Sequence, residues 1–105
     1  SWAGLVFAIR EESAFRQELL LAAILVPLAL WMPATVIETG LMLASVLIVL
    51  IVELLNSSVE AAVDRISYKT HGLSKRAKDY GSAAVMLALI LCGITYVSVG
   101  AKYYL

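Results

Sequence analysis

Residues 41–64 read LMLASVLIVLIVELLNSSVEAAVD, and this stretch decides the fold. No charge falls in residues 41–52, and Glu53 ends the run. Read down a helix at about 100° per residue, Glu53, Asn56, Glu60 and Asp64 share one stripe. Glu60 lies about 20° from Glu53, Asp64 about 20° on the other side, and Asn56 about 60° away. A carboxylate bordering that much hydrocarbon is costly to keep, and by default it marks a functional site.

The rest of the chain has the same character. Of 105 residues, 62% are hydrophobic and 15% charged, with a mean hydropathy of +0.91. Soluble domains are nearer half apolar and a quarter charged. This composition indicates an integral membrane protein in one domain, residues 1–105. Residues 19–37 and 80–101 are uncharged and long enough to cross a bilayer. Residues 39–52, extended by 35–37 and 54–55, reach about 20 residues. The expected fold is an all-α membrane protein with three transmembrane helices and a short N-terminal amphipathic helix. The expected bounds are 1–12 for the interfacial segment, 14–32 for span one, 34–68 for span two and 74–103 for span three.

The net charge of zero hides an asymmetry. Arg10 and Arg16 precede span one. Arg65, Lys69, Lys75, Arg76 and Lys78 crowd the link between spans two and three, whereas residues 32–38 hold no Lys or Arg. The positive-inside rule then places the N-terminus and the basic link in the cytosol, and Lys102 outside. Trp31 suits the outer interface, Pro33 stops the first span and Pro27 kinks it. Cys92 is the only cysteine, so an internal disulfide is excluded and a packing role is expected. A chain opening on Ser1 reads as a trimmed or processed form, and no signal-peptide pattern precedes span one. Nothing in the pattern calls for a nucleic-acid partner.

Residues 2–11 read as an interfacial amphipathic piece. Ser13 is positioned to cap a new helix, although the helical pattern also runs straight through. Span two is over 30 residues, roughly 50 Å as a helix, against a hydrocarbon core of about 30 Å. The surplus protrudes into the cytosol. Glu53 then lies near the inner hydrocarbon boundary, Glu60 about 10 Å further out and Asp64 beyond it. Gly72 reads as a helix stop and Ser74 as the next start. Gly81, Ser82, Ala83, Ala84, Ala88 and Gly93 permit close helix approach. Three spans per chain predict a homo-oligomer, because a closed polar site needs neighbouring copies.

Several familiar chemistries are missing. There is no glycine-rich phosphate loop and no dinucleotide fingerprint. One His and one Cys cannot build a structural zinc site, and no nucleophile-elbow serine occurs. What remains is carboxylates, an amide and a basic link. Glu12 and Glu60 supply hard oxygen ligands suited to Mg²⁺, which usually binds one or two carboxylates plus substrate phosphates. Lys75, Arg76 and Lys78 open a helix whose N-terminus favours phosphate. Glu53 is the natural proton acceptor, and Asn56, one turn on, is placed to orient it. Together these suit phosphoryl transfer from a Mg-nucleotide to a hydroxyl at headgroup depth. Each element also has a purely structural reading. The basic link is itself the topology signal. Glu60 and Asp64 fit a solvated face paired with Arg65 or Lys78, Glu12 fits plain surface, Glu53 with Asn56 fits a polar clamp, and His71 fits a loop.

The string from Glu53 to Asp64, ELLNSSVEAAVD, resembles the signature of the bacterial integral-membrane diacylglycerol kinases. Residues 12–18 (ESAFRQE), 74–79 (SKRAKD) and 81–85 (GSAAV) agree in order and spacing. The resemblance implies a homotrimer of three-span protomers that phosphorylates a lipid hydroxyl with Mg-ATP at the cytosolic face of the inner membrane. By motif position it implies Glu53 as general base, and Glu12 and Glu60 as the residues holding Mg²⁺ against ATP. Lys78 and Asp79, with Lys69, Thr70 and His71, match nucleotide contacts. Ala14, Phe15, Arg16, Gln17 and Glu18 match contacts to the lipid acceptor, joined by Ser82. Asn56 and Asp64 match the other polar positions of the signature. Members usually carry a longer N-terminal segment with further ATP contacts, and this sequence opens at Ser1. Segments FRQE and RAKDYGS look more like the diacylglycerol branch of Gram-negative bacteria, which makes phosphatidic acid, than the undecaprenol kinase branch. From another class, a small proton-coupled oligomeric transporter using Glu53 is the competing expectation, and a purely structural membrane subunit is a third.

Overall fold

A computed structural model describes residues 1–66 and 72–105 and contains four helices among them. They are α1 (Trp2–Glu11), α2 (Ser13–Trp31), α3 (Val36–Ile66) and α4 (Gly72–Tyr104). The last three are long and apolar enough to cross a membrane, and the described residues extend over 50 × 28 × 18 Å. The long dimension exceeds a hydrocarbon core of about 30 Å, so part of the bundle stands outside it. This is an all-helical, multi-pass membrane protein with a short helix ahead of three spans.

Each helix boundary has a local cause. Ser1 caps α1, its Oγ accepting from the Gly4 N–H at 3.2 Å. The pattern does not run straight from α1 into α2. Glu12 is extended (φ −111°, ψ 107°), and the chain turns there. The Arg16 guanidinium donates to the carbonyls of Ile9 and Arg10, both at 3.0 Å. Those are end carbonyls of α1 without helical partners, so a side chain of α2 closes the preceding helix. Met32 is extended (ψ 143°), as the residue before Pro33 must be. Thr35 and Glu38 form a capping box at the start of α3. The Glu38 N–H donates to Thr35 Oγ1 at 3.1 Å, and the Thr35 N–H donates to Glu38 Oε1 at 2.9 Å. Gly72 opens α4 instead of stopping the helix before it. No glycine has positive φ, so it supplies no left-handed cap.

α3 is the central helix, packed against α4 along most of its length and against α2 on another side. Its buried face is Met42, Ser45, Val46, Val49, Glu53 and Asn56, a stripe that changes from apolar to polar along one helix. Met42 packs with Ala29, Met32 and Val99, while Val46 and Val49 pack with Ala88 and Cys92. Cys92 is a buried free thiol. The Tyr96 hydroxyl donates to the Leu25 carbonyl at 2.8 Å, tying α4 to α2 near Pro27. Large apolar side chains such as Leu20, Ile24, Leu47, Leu87 and Val97 stay exposed, as expected of surfaces that meet lipid or other membrane helices.

The Glu38 end of the bundle is closed by side chains. Lys102 Nζ donates to Glu38 Oε2 at 2.8 Å, and the Tyr103 hydroxyl donates to Glu38 Oε1. Trp31 and Tyr104 stack with ring centroids 6.3 Å apart and planes 4° from parallel. The opposite end is left open, and the carboxylates lie there.

Candidate active site

The bend at Glu12 turns the start of α2 towards α3 and encloses a cavity of about 330 Å³. Glu12, Ala14 and Glu18 line it from the joint and first turns of α2. Glu53, Asn56 and Glu60 line it from α3, and Ser82 from α4. Four carboxyl groups face this one space. Among the described residues no cation pairs with any of them. Glu53 is only 4% exposed, in the lower part of the helical stripe where Val49 gives way to polar residues. The charges of Glu12 and Glu60 act on Glu53, and that of Glu53 acts on Glu18.

Asn56 links the stripe together. Its Nδ2 donates to Glu60 Oε1 at 3.2 Å. Its Oδ1 is buried without a partner, as is Glu18 Oε2. Buried polar atoms are normally satisfied; Asn56 Oδ1 lies against the bare backbone of Gly81, and Glu18 Oε2 is left without a partner on a residue that lines the cavity. Among the described residues no three His, Cys, Asp or Glu side chains converge tightly enough to hold a metal ion by themselves. Two carboxylates on one cavity, Glu12 and Glu60, are the donor set that Mg²⁺ takes when substrate phosphates complete its shell. The residues present therefore fit that ion.

Other expected site residues fall elsewhere. Phe15 is 2% exposed and lines a separate apolar cavity of about 360 Å³ with Leu5, Leu47 and Leu54. Arg16 is committed to the α1 carbonyls, and Gln17 is exposed on α2 outside the cavity lining. Lys78 Nζ pairs with Asp64 Oδ1 at 2.5 Å and joins α3 to α4, while Lys75 pairs with Asp79 at 2.8 Å. Lys78, Asp79 and Asp64 thus form an exposed polar rim at the same end of the bundle, beyond the cavity lining. Lys69, Thr70 and His71 lie outside the described residues.

Ser13, Ser57 and Val85, which also line the cavity, and Gly81, which borders Asn56, were not among the expected site residues. Ser57 lines the cavity, and its spacing carried the signal, since a residue four beyond Glu53 lies about 40° round the helix. Gly81 contacts Asn56 so closely that a Cβ there would come within 2.1 Å of Asn56 Oδ1. No spacing rule within one helix reveals that contact, because the partners are on different helices.

Comparison with known proteins identifies the family. The chain matches the family described as prokaryotic diacylglycerol kinase over residues 1–99. The chain belongs to that family. It is 53% identical over 93 residues to a diacylglycerol kinase of Haemophilus influenzae, covering 89% of this chain and 79% of the relative. It is 49% identical over 96 residues to the Escherichia coli diacylglycerol kinase, covering 91% and 79%. A Pseudomonas aeruginosa diacylglycerol kinase is 48% identical over 99 residues, covering 94% and 80%. Membership of this diacylglycerol kinase family makes the chain a membrane kinase and sets aside the transporter and structural-subunit readings. The residues that line the cavity all fall within the matched region.

Proposed function

We propose that the protein transfers the γ-phosphoryl group of ATP to the hydroxyl of diacylglycerol, making phosphatidic acid at the cytosolic face of the bacterial inner membrane. The observation that carries this reading is the burial of Glu53 in a cavity it shares with Glu12 and Glu60, in a member of the diacylglycerol kinase family. Glu53 sits where hydrocarbon ends and polar lining begins, the depth at which a lipid hydroxyl is found.

Transfer is direct. The lipid oxygen bonds to the γ-phosphorus as the β–γ bridging bond breaks, and the hydroxyl proton passes to the Glu53 carboxylate. Ala14, Glu18 and Ser82 surround the hydroxyl from two other helices. Glu12 and Glu60 would hold Mg²⁺, which when bound would neutralise the phosphate charge. Lys78 and Asp79, with Lys69, Thr70 and His71 in the link, take the nucleotide at the rim. Phe15 supports the acceptor side by packing and Arg16 by fixing the bend, while Gln17 is exposed beside them. Asn56 and Asp64 hold neighbouring polar groups in place. The exposed apolar faces of the spans pack against neighbouring copies in a homotrimer.

The test is a phosphorylation assay in detergent with Mg-ATP, offering diacylglycerol and undecaprenol in parallel. Faster phosphorylation of diacylglycerol is expected. Preference for undecaprenol would assign the chain to the other branch, and no phosphorylation of either would reject the kinase reading.

A further inference from the structure

Gly81 is the one glycine in the chain whose missing side chain has a specific consequence. A Cβ added at Gly40, Gly72, Gly93 or Gly100 meets nothing within 4 Å, and at Gly4 it makes ordinary contact with Ser1 at 3.5 Å. At Gly81 the same atom lands 2.1 Å from Asn56 Oδ1 and 3.2 Å from Asn56 Cγ. The Asn56 backbone is not the obstacle, since its Cα is 3.8 Å away. The conflict is confined to the carboxamide, the same group whose Nδ2 donates to Glu60 at 3.2 Å.

From this contact we infer that Gly81 is a positioning residue for phosphoryl transfer: its bare backbone leaves room for the Asn56 carboxamide against α4, with the amide donating to Glu60. The inference rests on the reading of Glu60 as a Mg²⁺ ligand. A carboxylate with one oxygen held by an amide presents the other in a fixed direction, which is how outer hydrogen bonds tune metal ligands. Any side chain at position 81 turns the carboxamide away, because the Asn56 side chain is mobile and the helix backbones are not. Glu60 then loses its donor while the helices keep their packing. Gly81 itself touches neither nucleotide nor lipid in this account.

This separates stability from function. Gly81 is inside α4, where Gly is normally the weaker helix former and Ala the stronger. Gly81→Ala is therefore expected to leave trimer assembly intact and the unfolding temperature level or raised. It is expected to raise the Mg²⁺ concentration needed for half-maximal rate by about tenfold, the weight of a hydrogen bond to a charged group. The KM for diacylglycerol should stay within about twofold of the parent, as expected where lipid contacts are untouched.

The experiment is a double-mutant cycle on the full-length protein, reading Mg²⁺ dependence, lipid KM and assembly for Gly81→Ala, Asn56→Ala and the pair. With Asn56 cut to Ala, the clashing atoms are gone, so the double variant should match Asn56→Ala alone. Additive losses in the cycle would overturn the inference, because they would mean that Gly81 serves helix packing independently of Asn56. If Gly81→Ala fails to assemble, the double variant decides: assembly with Asn56→Ala behaviour supports the inference, and failure overturns it. Glu60→Gln measured alongside separates the two readings. If Glu60→Gln raises the Mg²⁺ requirement and Gly81→Ala does not, the positioning role alone is wrong. If Glu60→Gln leaves Mg²⁺ dependence unchanged, the metal assignment beneath it is wrong.

Discussion

α3 carries one carboxylate in its first turn, Glu38, and another near its middle, Glu53, and the two are finished in opposite ways. Glu38 is held by the Thr35 N–H, Lys102 and Tyr103, and the Trp31–Tyr104 stack stands at the same end. Every strong donor near it is committed. Glu53 is deeper in the protein, has no cation partner among the described residues, and shares its cavity with three other carboxyl groups, of which Glu18 has an oxygen without a partner. A saturated carboxylate fastens helices together. An unsaturated one is free to take a proton or a metal ion. The difference separates a clamp from a site on a single helix, without reference to any relative.

Substitutions at the two positions should therefore fail in different ways, and the largest contrast is at Glu53. Glu53→Gln should lower turnover by at least about 10², the lower range for loss of general-base catalysis, while trimer and Mg-ATP binding persist. Turnover near the parent value in a detergent assay would break the comparison. Next comes Glu60→Gln, which should either abolish activity or raise the Mg²⁺ requirement, read from a metal titration at saturating lipid. At the other position, Glu38→Gln should leave turnover at permissive temperature close to the parent and lower the unfolding temperature. A Glu38 variant that folds normally yet cannot turn over would erase the distinction between clamp and site. The smallest effect is expected for Trp31→Ala, where losing one aromatic stack costs about 1 kcal/mol, visible in thermal or denaturant melts with no change in Mg²⁺ dependence.

Much of the site was legible along the chain because helical geometry is periodic. Glu53, Asn56 and Glu60 do share one cavity wall, as their spacing required. Glu12 entered as a hard oxygen ligand on the same side of the membrane, Ala14, Glu18 and Ser82 through motif resemblance, and the fold brings all four to that cavity. Asp64, on the same stripe, lies outside the cavity lining because α3 continues past it, and there it meets Lys78. Phe15 and Arg16 sit inside a matching motif yet do different work, one packing an apolar cavity and the other closing α1. A motif names residues that travel together; it does not separate those that touch a substrate from those that hold the frame.

By itself the sequence determined the three spans, the solvent they need and the depth order of the acidic stripe, since hydrophobicity and a ~1.5 Å rise per residue are properties of the chain alone. It also held the capping box at Thr35 and Glu38, which is a four-residue signal. Only the tertiary structure decided that the chain bends at Glu12, that Arg16 closes the helix before it, and that Asn56 finds its room against Gly81. Those are contacts between separate helices, set by which surfaces meet and how closely. Periodicity along one helix carries no information about them.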